Sequence, residues 1–285
     1  MTKRISETEL ILNPNGTIYH LNLLPDEIAD TIIVVGDQGR VPLVSKHFDK
    51  IEVKKNHREF LTHTGYIGDK KISVLSTGIG SDNIDIVMNE LDALANIDFT
   101  SREVKEQKTS LKIIRIGTSG SIQYDLDIDT IVMSESAIGL DNLMNFYEFE
   151  RETILDAEIK KQLNIDFLNP YYVSASDNLI KKFGYKFYRG ITATCCGFYS
   201  PQGRKLRAES VIKNLISKLN AITISGKRIA NFEMETSAIY GLSKLLGHEA
   251  LSINAVLGNR IKNTFSKNPE KIIEKAITET LEIIA

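Results

Sequence analysis

Six short apolar runs, each closed by a glycine or a small polar residue, constrain the fold of this chain more than any other feature. They are TIIVVG (31–36), KISVLSTG (71–78), LKIIRIGTSG (111–120), TIVMSES (130–136), YRGITAT (188–194) and ALSINAVLG (250–258). Rows of Ile and Val without polar alternation read as strands covered on both faces, as in the sheet of an α/β protein. Helical periodicity separates them. Ile84, Val87, Met88, Leu91 and Leu94 recur three and four residues apart. So do Ile239, Leu242, Leu245 and Leu246, with Gly247 as a suitable stop. A last helix is expected to open with Asn268 as N-cap and Pro269 in its first turn. RKLRAESVIKNLISKLN (204–220) also reads as helical, and the charged stretch 99–112 as a surface loop or frayed helix end. With no repeat, linker or boundary in sight, the pattern predicts one α/β domain over residues 1–285, with a central mixed β-sheet flanked by helices.

Composition narrows the function. Hydrophobic residues make up 42%, charged residues 25%, and the formal net charge is −2, which offers no basic surface for nucleic acid or membrane. No apolar run reaches membrane-spanning length and the first residues lack the apolar core of a signal peptide, so a cytoplasmic protein is expected. Cys195 and Cys196 are neighbours, which disfavours a bridge between them, and no zinc spacing is present; they read as reduced, small buried residues after a strand.

Ligands of open α/β sheets bind beyond the carboxyl ends of the strands. GDQGR (36–40) follows the first run. Its two glycines and Arg40 suit an anion, or simply a turn. Arg115 lies inside an apolar run and needs a partner if buried; a ligand and a structural carboxylate serve equally. Thr118 ends the same run, and NHREF carries Arg58 and Glu59. Glu233 and Glu235 flank Met234 at a helix start, where either the helix dipole or a bound vicinal diol explains them. Asn259 and Arg260 read as a strand-end turn with a solvated arginine. CCGFYSPQGRKLR (195–207) fits no periodicity, because Pro201 and Gly203 break both. It still gathers Phe198, Tyr199, Gln202 and Arg204, a set suited to a flat, polar, hydrogen-bonding ligand.

His20 in YHLNL, then GDQGR, HREF, STGIG, RIGTSGSIQ, FYSPQGR, FEMETSAIYG and VLGNR, in this order, resemble the nucleoside phosphorylases of the uridine phosphorylase and hexameric purine nucleoside phosphorylase type. The resemblance runs from about His20 to the C-terminus. It implies a single domain with a partly barrel-like mixed sheet. It also implies reversible phosphorolysis of a nucleoside to free base and ribose 1-phosphate, and a homo-oligomer in which each active site borrows residues across a dimer interface. By position, Gly36, Arg40, Arg115 and Thr118 resemble phosphate ligands. Arg58 resembles a phosphate ligand lent by the neighbouring subunit, and His20 a lent residue near the ribose 5′-hydroxyl. Met234 and Glu235 resemble the ribose contacts, with Glu235 on the 2′ and 3′ hydroxyls.

Phe198 would then lie along sugar and base, Gln202 would pair with O2 and N3–H of uracil, and Arg204 would sit near O4. This spacing resembles the pyrimidine branch, whereas the purine branch and related nucleosidases carry a Ser-Asp pair where this chain has Gly258, Asn259 and Arg260. The implied reaction is cleavage of uridine by inorganic phosphate, with Arg204, Gln202, Glu235 and Arg115 as its catalytic residues and no cofactor required. A phosphorylase of broader base specificity, a purine nucleoside phosphorylase, or a non-catalytic nucleoside-binding protein on the same fold are the alternatives. Some members hold potassium between subunits through a glutamate matched here by Glu59, although Asn83 replaces the usual serine. Residues 99–112, and part of the stretch before Asn231, resemble insertions.

Overall fold

The computed structural model describes residues 4–285. Strand β1 (Thr31–Val35) leads into the short helix α1 (Arg40–Ser45), a meander of β2 (Lys50–His57), β3 (Phe60–Ile67) and β4 (Lys70–Ser76), and helix α2 (Ser81–Asn96). A hairpin of β5 (Ile97–Asp98) and β6 (Glu103–Val104) precedes the long strands β7 (Lys112–Ser121) and β8 (Ile131–Leu140). Next come α3 (Thr153–Leu163), β9 (Tyr171–Ser174), α4 (Asp177–Phe183), β10 (Tyr188–Cys195), α5 (Leu215–Ala221) and β11 (Thr223–Ile224). The chain finishes with β12 (Lys227–Glu233), α6 (Thr236–Leu246), β13 (Glu249–Asn259), β14 (Thr264–Phe265) and α7 (Pro269–Ile284).

All six apolar runs form strands, and they lie in one 12-stranded sheet. β1 is buried along its whole length and runs parallel to both β4 and β7. β7 also runs parallel to β13, which is antiparallel to β8; β8 and β10, and β10 and β12, are parallel. The end of β7 then meets β12 antiparallel, at Gly120 with Phe232 and Ser121 with Asn231. That contact closes β12, β10, β8, β13 and β7 into a mixed barrel, while β1, β4, β3 and β2 continue as an open wing. The partly barrel-like sheet expected from the resemblance is therefore present. At the closure a Cβ on Gly120 would sit 3.5 Å from the Phe232 ring, ordinary packing distance.

Helices α2, α6 and α7 bring Met88, Leu91, Ile239 and Ile277 to one core cluster that runs from the wing onto β7, β8 and β13, and a second cluster under α3 and α5 joins Ile159 and Leu219 to Ile191 and Phe232 of the barrel. Gly247 ends α6 in the left-handed region at φ 80°, as expected. No helix among the described residues is long and apolar enough to cross a membrane.

Three local expectations fail. Only Leu215–Ala221 of the stretch 204–220 is helical. Gly203 and Asn214 both adopt positive φ, and residues 205–209 are exposed, so no buried face supports a helix there. The stretch 99–112 is largely the surface loop expected, interrupted by Glu103–Val104 of β6 and tethered at both sides of that strand. Asp98 accepts the N–H groups of Thr100 and Ser101, both at 2.8 Å. Arg102, buried at φ 59°, donates to the carbonyls of Ile5 (3.0 Å), Ser6 (2.8 Å) and Leu10. Asn268 occupies the N-cap position of α7, but its side chain makes no capping bond. Both thiols are free; Cys195 is buried, whereas Cys196 is exposed.

Candidate active site

Arg115 organises the carboxyl ends of the strands. It points from β7 into the interior, 5% exposed. Nη1 donates to Asn254 Oδ1 of β13 at 2.5 Å, Nη2 donates to Glu235 Oε2, and Glu233 lies 3.3 Å away. A Cβ on Gly117 would fall 1.6 Å from Nη1, so the guanidinium folds back over Gly117 and a side chain there would have to displace it. Burial opposes the charge of Arg115, but Glu233 and Glu235 hold its pKa above the ordinary value. The structural partner that a buried arginine requires is thus present within the chain.

The two carboxylates beside Met234 have different surroundings. Glu233, last residue of β12, accepts N–H groups from Glu235 (2.9 Å) and Thr236 (2.9 Å) and the hydroxyl of Thr194 (2.7 Å). It caps α6, so the helix-terminus explanation accounts for it. Glu235 turns away from those amides, and its Oε1 accepts the N–H of Gly80 at 2.8 Å. Burial drives the Glu233 pKa up against the pull of Arg115.

Arg40 opens α1 and donates through Nη1 to Ile116 O at 3.2 Å, one residue beyond Arg115. Burial, then the charge of Arg115, pushes its pKa down. Gly36 and Thr118 are half-buried at the ends of the adjacent strands β1 and β7. Gly36, Arg40, Arg115, Thr118, Met234 and Glu235 therefore converge on one end of the sheet.

The loop after β10 approaches the same end. Ser200–Gln202 makes one tight turn, Gly203 adopts φ 65°, and Arg204 N–H returns to Tyr199 O at 2.8 Å. The Arg204 guanidinium lies 3.7 Å from the Phe198 ring centroid and donates to Phe198 O at 2.7 Å and to Gln202 Oε1. Gln202 is 2% exposed, and its Nε2 donates to the carbonyl of Glu233 at 3.4 Å. Those two neighbours set which end of the amide is oxygen.

Arg260, read from sequence as solvated, instead donates to the carbonyls of Gln202 (3.1 Å) and Gly203 (3.3 Å) and ties the loop to the end of β13. Burial and the charge of Arg260 push the pKa of Arg204 down to about 10. Arg204 stays charged at neutral pH, with no carboxylate among its bonded neighbours. Asn259 is saturated: it donates to Gln123 O (2.9 Å) and Leu126 O (2.8 Å) and accepts from the amides of Ile261 and Lys262.

The turn that carries Arg58 and Glu59 borders the GDQGR loop, where Gln38 Nε2 donates to Arg58 O at 2.6 Å, and His20 lies beside it. His20 Nδ1 meets Glu90 Oε1 at 2.6 Å, His57 Nδ1 meets His20 O at 2.9 Å, and Arg58 lies over the Tyr19 ring at 5.6 Å. Arg58 is exposed at the tip of the β2–β3 turn, and no side chain of this patch bonds Arg40, Arg115 or Gln202. Glu59 Cγ and the Asn83 amide both border Gly78, but no group of three His, Cys, Asp or Glu side chains among the described residues could hold a metal. Sequence reasoning missed Glu90, Asn254, Gly117 and the clamping role of Arg260. Asn254 carried a signal, a polar residue inside an apolar run as at Arg115; the others depend on pairings across 57 residues or more, or on the fold of one side chain.

A family profile described as "Phosphorylase superfamily" matches residues 30–285. The uridine phosphorylase of Thermococcus kodakarensis is 30% identical over 289 aligned residues, which span 100% of this chain and 93% of that protein. A DeoD-type purine nucleoside phosphorylase of Buchnera aphidicola is 27% identical over 93% of this chain and 96% of its own length. Among solved structures, a Trypanosoma brucei nucleoside phosphorylase that shows uridine phosphorylase activity superposes with a TM-score of 0.86 at 30% identity, covering 96% of this chain and 99% of that one.

Proposed function

The chain belongs to the phosphorylase superfamily, and on that premise we propose that it catalyses the reversible phosphorolysis of uridine to uracil and ribose 1-phosphate. The observation that carries this reading is the loop of Phe198, Gln202 and Arg204, hung from the strand end that bears Glu233 and Glu235. An oriented amide beside an uncompensated guanidinium matches the O2, N3–H and O4 edge of uracil. Uracil would lie along Phe198, with O2 accepting from Gln202 Nε2, N3–H donating to Gln202 Oε1, and O4 facing Arg204. Glu235 would accept from the ribose hydroxyls. Phosphate would occupy the opposite face of the sugar, on Arg40, the Gly36 amide and the Thr118 hydroxyl, with Arg115 beneath.

The C1′–N1 bond breaks and its electron pair leaves with uracil. A phosphate oxygen forms the new bond to C1′, and the uracil anion takes a proton from water. Arg204 lies where negative charge grows on the base, and fixed charge at that point lowers the barrier. Holding phosphate against C1′ supplies the orientation. Arg40 and Arg115 balance Glu233 and Glu235, so a phosphate dianion gains from further positive charge. The exposed Arg58, lent by a second copy in a homo-oligomer, would supply it, with His20 near the ribose 5′-hydroxyl. A potassium ion held between subunits would take Glu59 as one of its oxygen ligands, and no step of the phosphorolysis passes through it.

Asn259 speaks against a purine base, since an amide with all its hydrogen bonds made offers no proton to a ring nitrogen. The test is uracil release from uridine with and without phosphate, with inosine alongside. Phosphate-dependent release of uracil and little hypoxanthine is expected. Release without phosphate would make the chain a hydrolase, and rapid cleavage of inosine would refute the base assignment.

A further inference from the structure

A cavity of about 300 Å³ opens at the other end of the sheet, lined by Thr31, Lys70, Lys112, Asn178, Lys182 and Glu249 among others. Thr31, Lys112 and Glu249 are the first residues of β1, β7 and β13 and stand side by side in register. Gly36, Thr118 and Asn259 follow from the same strands at the opposite end. With a rise of about 3.3 Å per residue, Lys112 lies roughly 20 Å from Thr118 along β7, too far for one small ligand to occupy both ends.

The lysines come from three walls. Lys70 opens β4, Lys112 opens β7, and Lys182 belongs to α4. None of them takes part in an ion pair among the described residues; those that do include Lys46, Lys50 and Lys186. The carboxylate in the lining, Glu249, accepts from Asn178 Nδ2. Burial, then the like charges of Lys182 and Lys112, drives the Lys70 ammonium pKa down. Three converging ammonium groups repel across a hollow, and an anion placed between them reverses the sign of that interaction. The buried Thr31 adds a hydroxyl donor. A hollow of that volume has room for more than one phosphoryl group.

The geometry points to a second anion site, remote from the nucleoside site, where Lys70, Lys112 and Lys182 bind a small polyphosphorylated ligand. Isothermal titration of the full chain with inorganic triphosphate at low ionic strength tests this. Binding to the wild type is expected, at least tenfold weaker in K112A/K182A and unchanged by R40A at the other end of the sheet. The K112A/K182A chain should melt at or above the wild-type temperature, because like charges have been removed. Should that variant fail to fold, K182Q, at an exposed position of α4, should still weaken binding about threefold. A flat wild-type titration, lysine variants that bind like the wild type, or binding lost in R40A alone would each overturn the assignment. None of these outcomes depends on catalysis.

Discussion

Arg115 and Arg204 hold charge in opposite ways. Arg115 is saturated by Asn254, Glu235 and Glu233, and its surroundings favour the cation. Arg204 is stacked on Phe198 and bonded to neutral oxygens, with Arg260 nearby. The first reads as a positioning residue for Glu235, the second as a charge awaiting an anion. Arg204→Ala should lower kcat for uridine by about 10²–10³-fold, the usual effect of removing one preorganised donor, and Arg204→Lys should recover little, because an ammonium cannot reproduce the stacked fork. Steady-state phosphorolysis of both variants checks this; a kcat within threefold of wild type for Arg204→Ala would remove the residue from the mechanism. Gly117→Ala puts a methyl where Arg115 Nη1 lies. Displacing a buried guanidinium strands two carboxylates, so about 3–5 kcal/mol of stability should be lost. Urea denaturation would show it, and a loss under 1 kcal/mol would mean that Arg115 has room to move.

Among the elements, the β5–β6 hairpin has the least obvious role. Its sequence is polar and charged, yet Arg102 tethers the segment Ile5–Leu10 through three carbonyls. Arg102→Ala should cost about 2–3 kcal/mol, as for hydrogen bonds from a charged donor that leave their acceptors unmet. It should also expose residues before Leu12 to protease while leaving the loop 198–204 intact. Limited proteolysis with mass mapping distinguishes this from general unfolding, in which cuts would appear throughout. The tether was illegible beforehand because a left-handed arginine between polar residues looks like any exposed turn. By contrast, β1, β4, β7 and β13 were readable because burial on both faces leaves an unbroken apolar run. α6 was readable because its apolar stripe meets a glycine stop.

At the level of the whole molecule, the exposure of Arg58 at the tip of the β2–β3 turn, with no bond to Arg40 or Arg115, bears on assembly. If each site takes Arg58 from a neighbour, Arg58→Ala and Arg204→Ala chains are each inactive alone. Mixed and reassembled, they should regain on the order of a quarter of wild-type activity, since half the random dimers carry one intact site. No recovery under conditions that exchange subunits would place Arg58 outside the site. Stability should also depend on pH through His63, which joins β3 to Ser45 of α1 at 2.7 Å. Burial, then Lys54, lowers its pKa below the ~6.5 of an unfolded histidine. Below that pH the unfolded chain takes up a proton that the folded chain refuses. The stabilisation is therefore complete above pH ~6.5 and is lost as pH falls toward the folded pKa. Melting temperatures between pH 5 and 8 should show a slope that His63→Gln flattens.

What the sequence by itself determined was local. Apolar runs specify strands through burial, a glycine specifies where α6 stops, and a proline where α7 starts. Eight motifs in order identify the family and single out Gln202, Arg204 and Glu235. The tertiary structure decided what those residues face. Whether Arg115 meets a ligand or a carboxylate, whether Arg260 is solvated or clamps the loop, and whether Glu233 or Glu235 caps α6 all turn on contacts between segments far apart in the chain. The closure of β7 onto β12 brings them together. Spacing along a chain carries periodicity but no distance between β7, β12 and β13, so charge pairing at the barrel mouth could be read only once the sheet had closed.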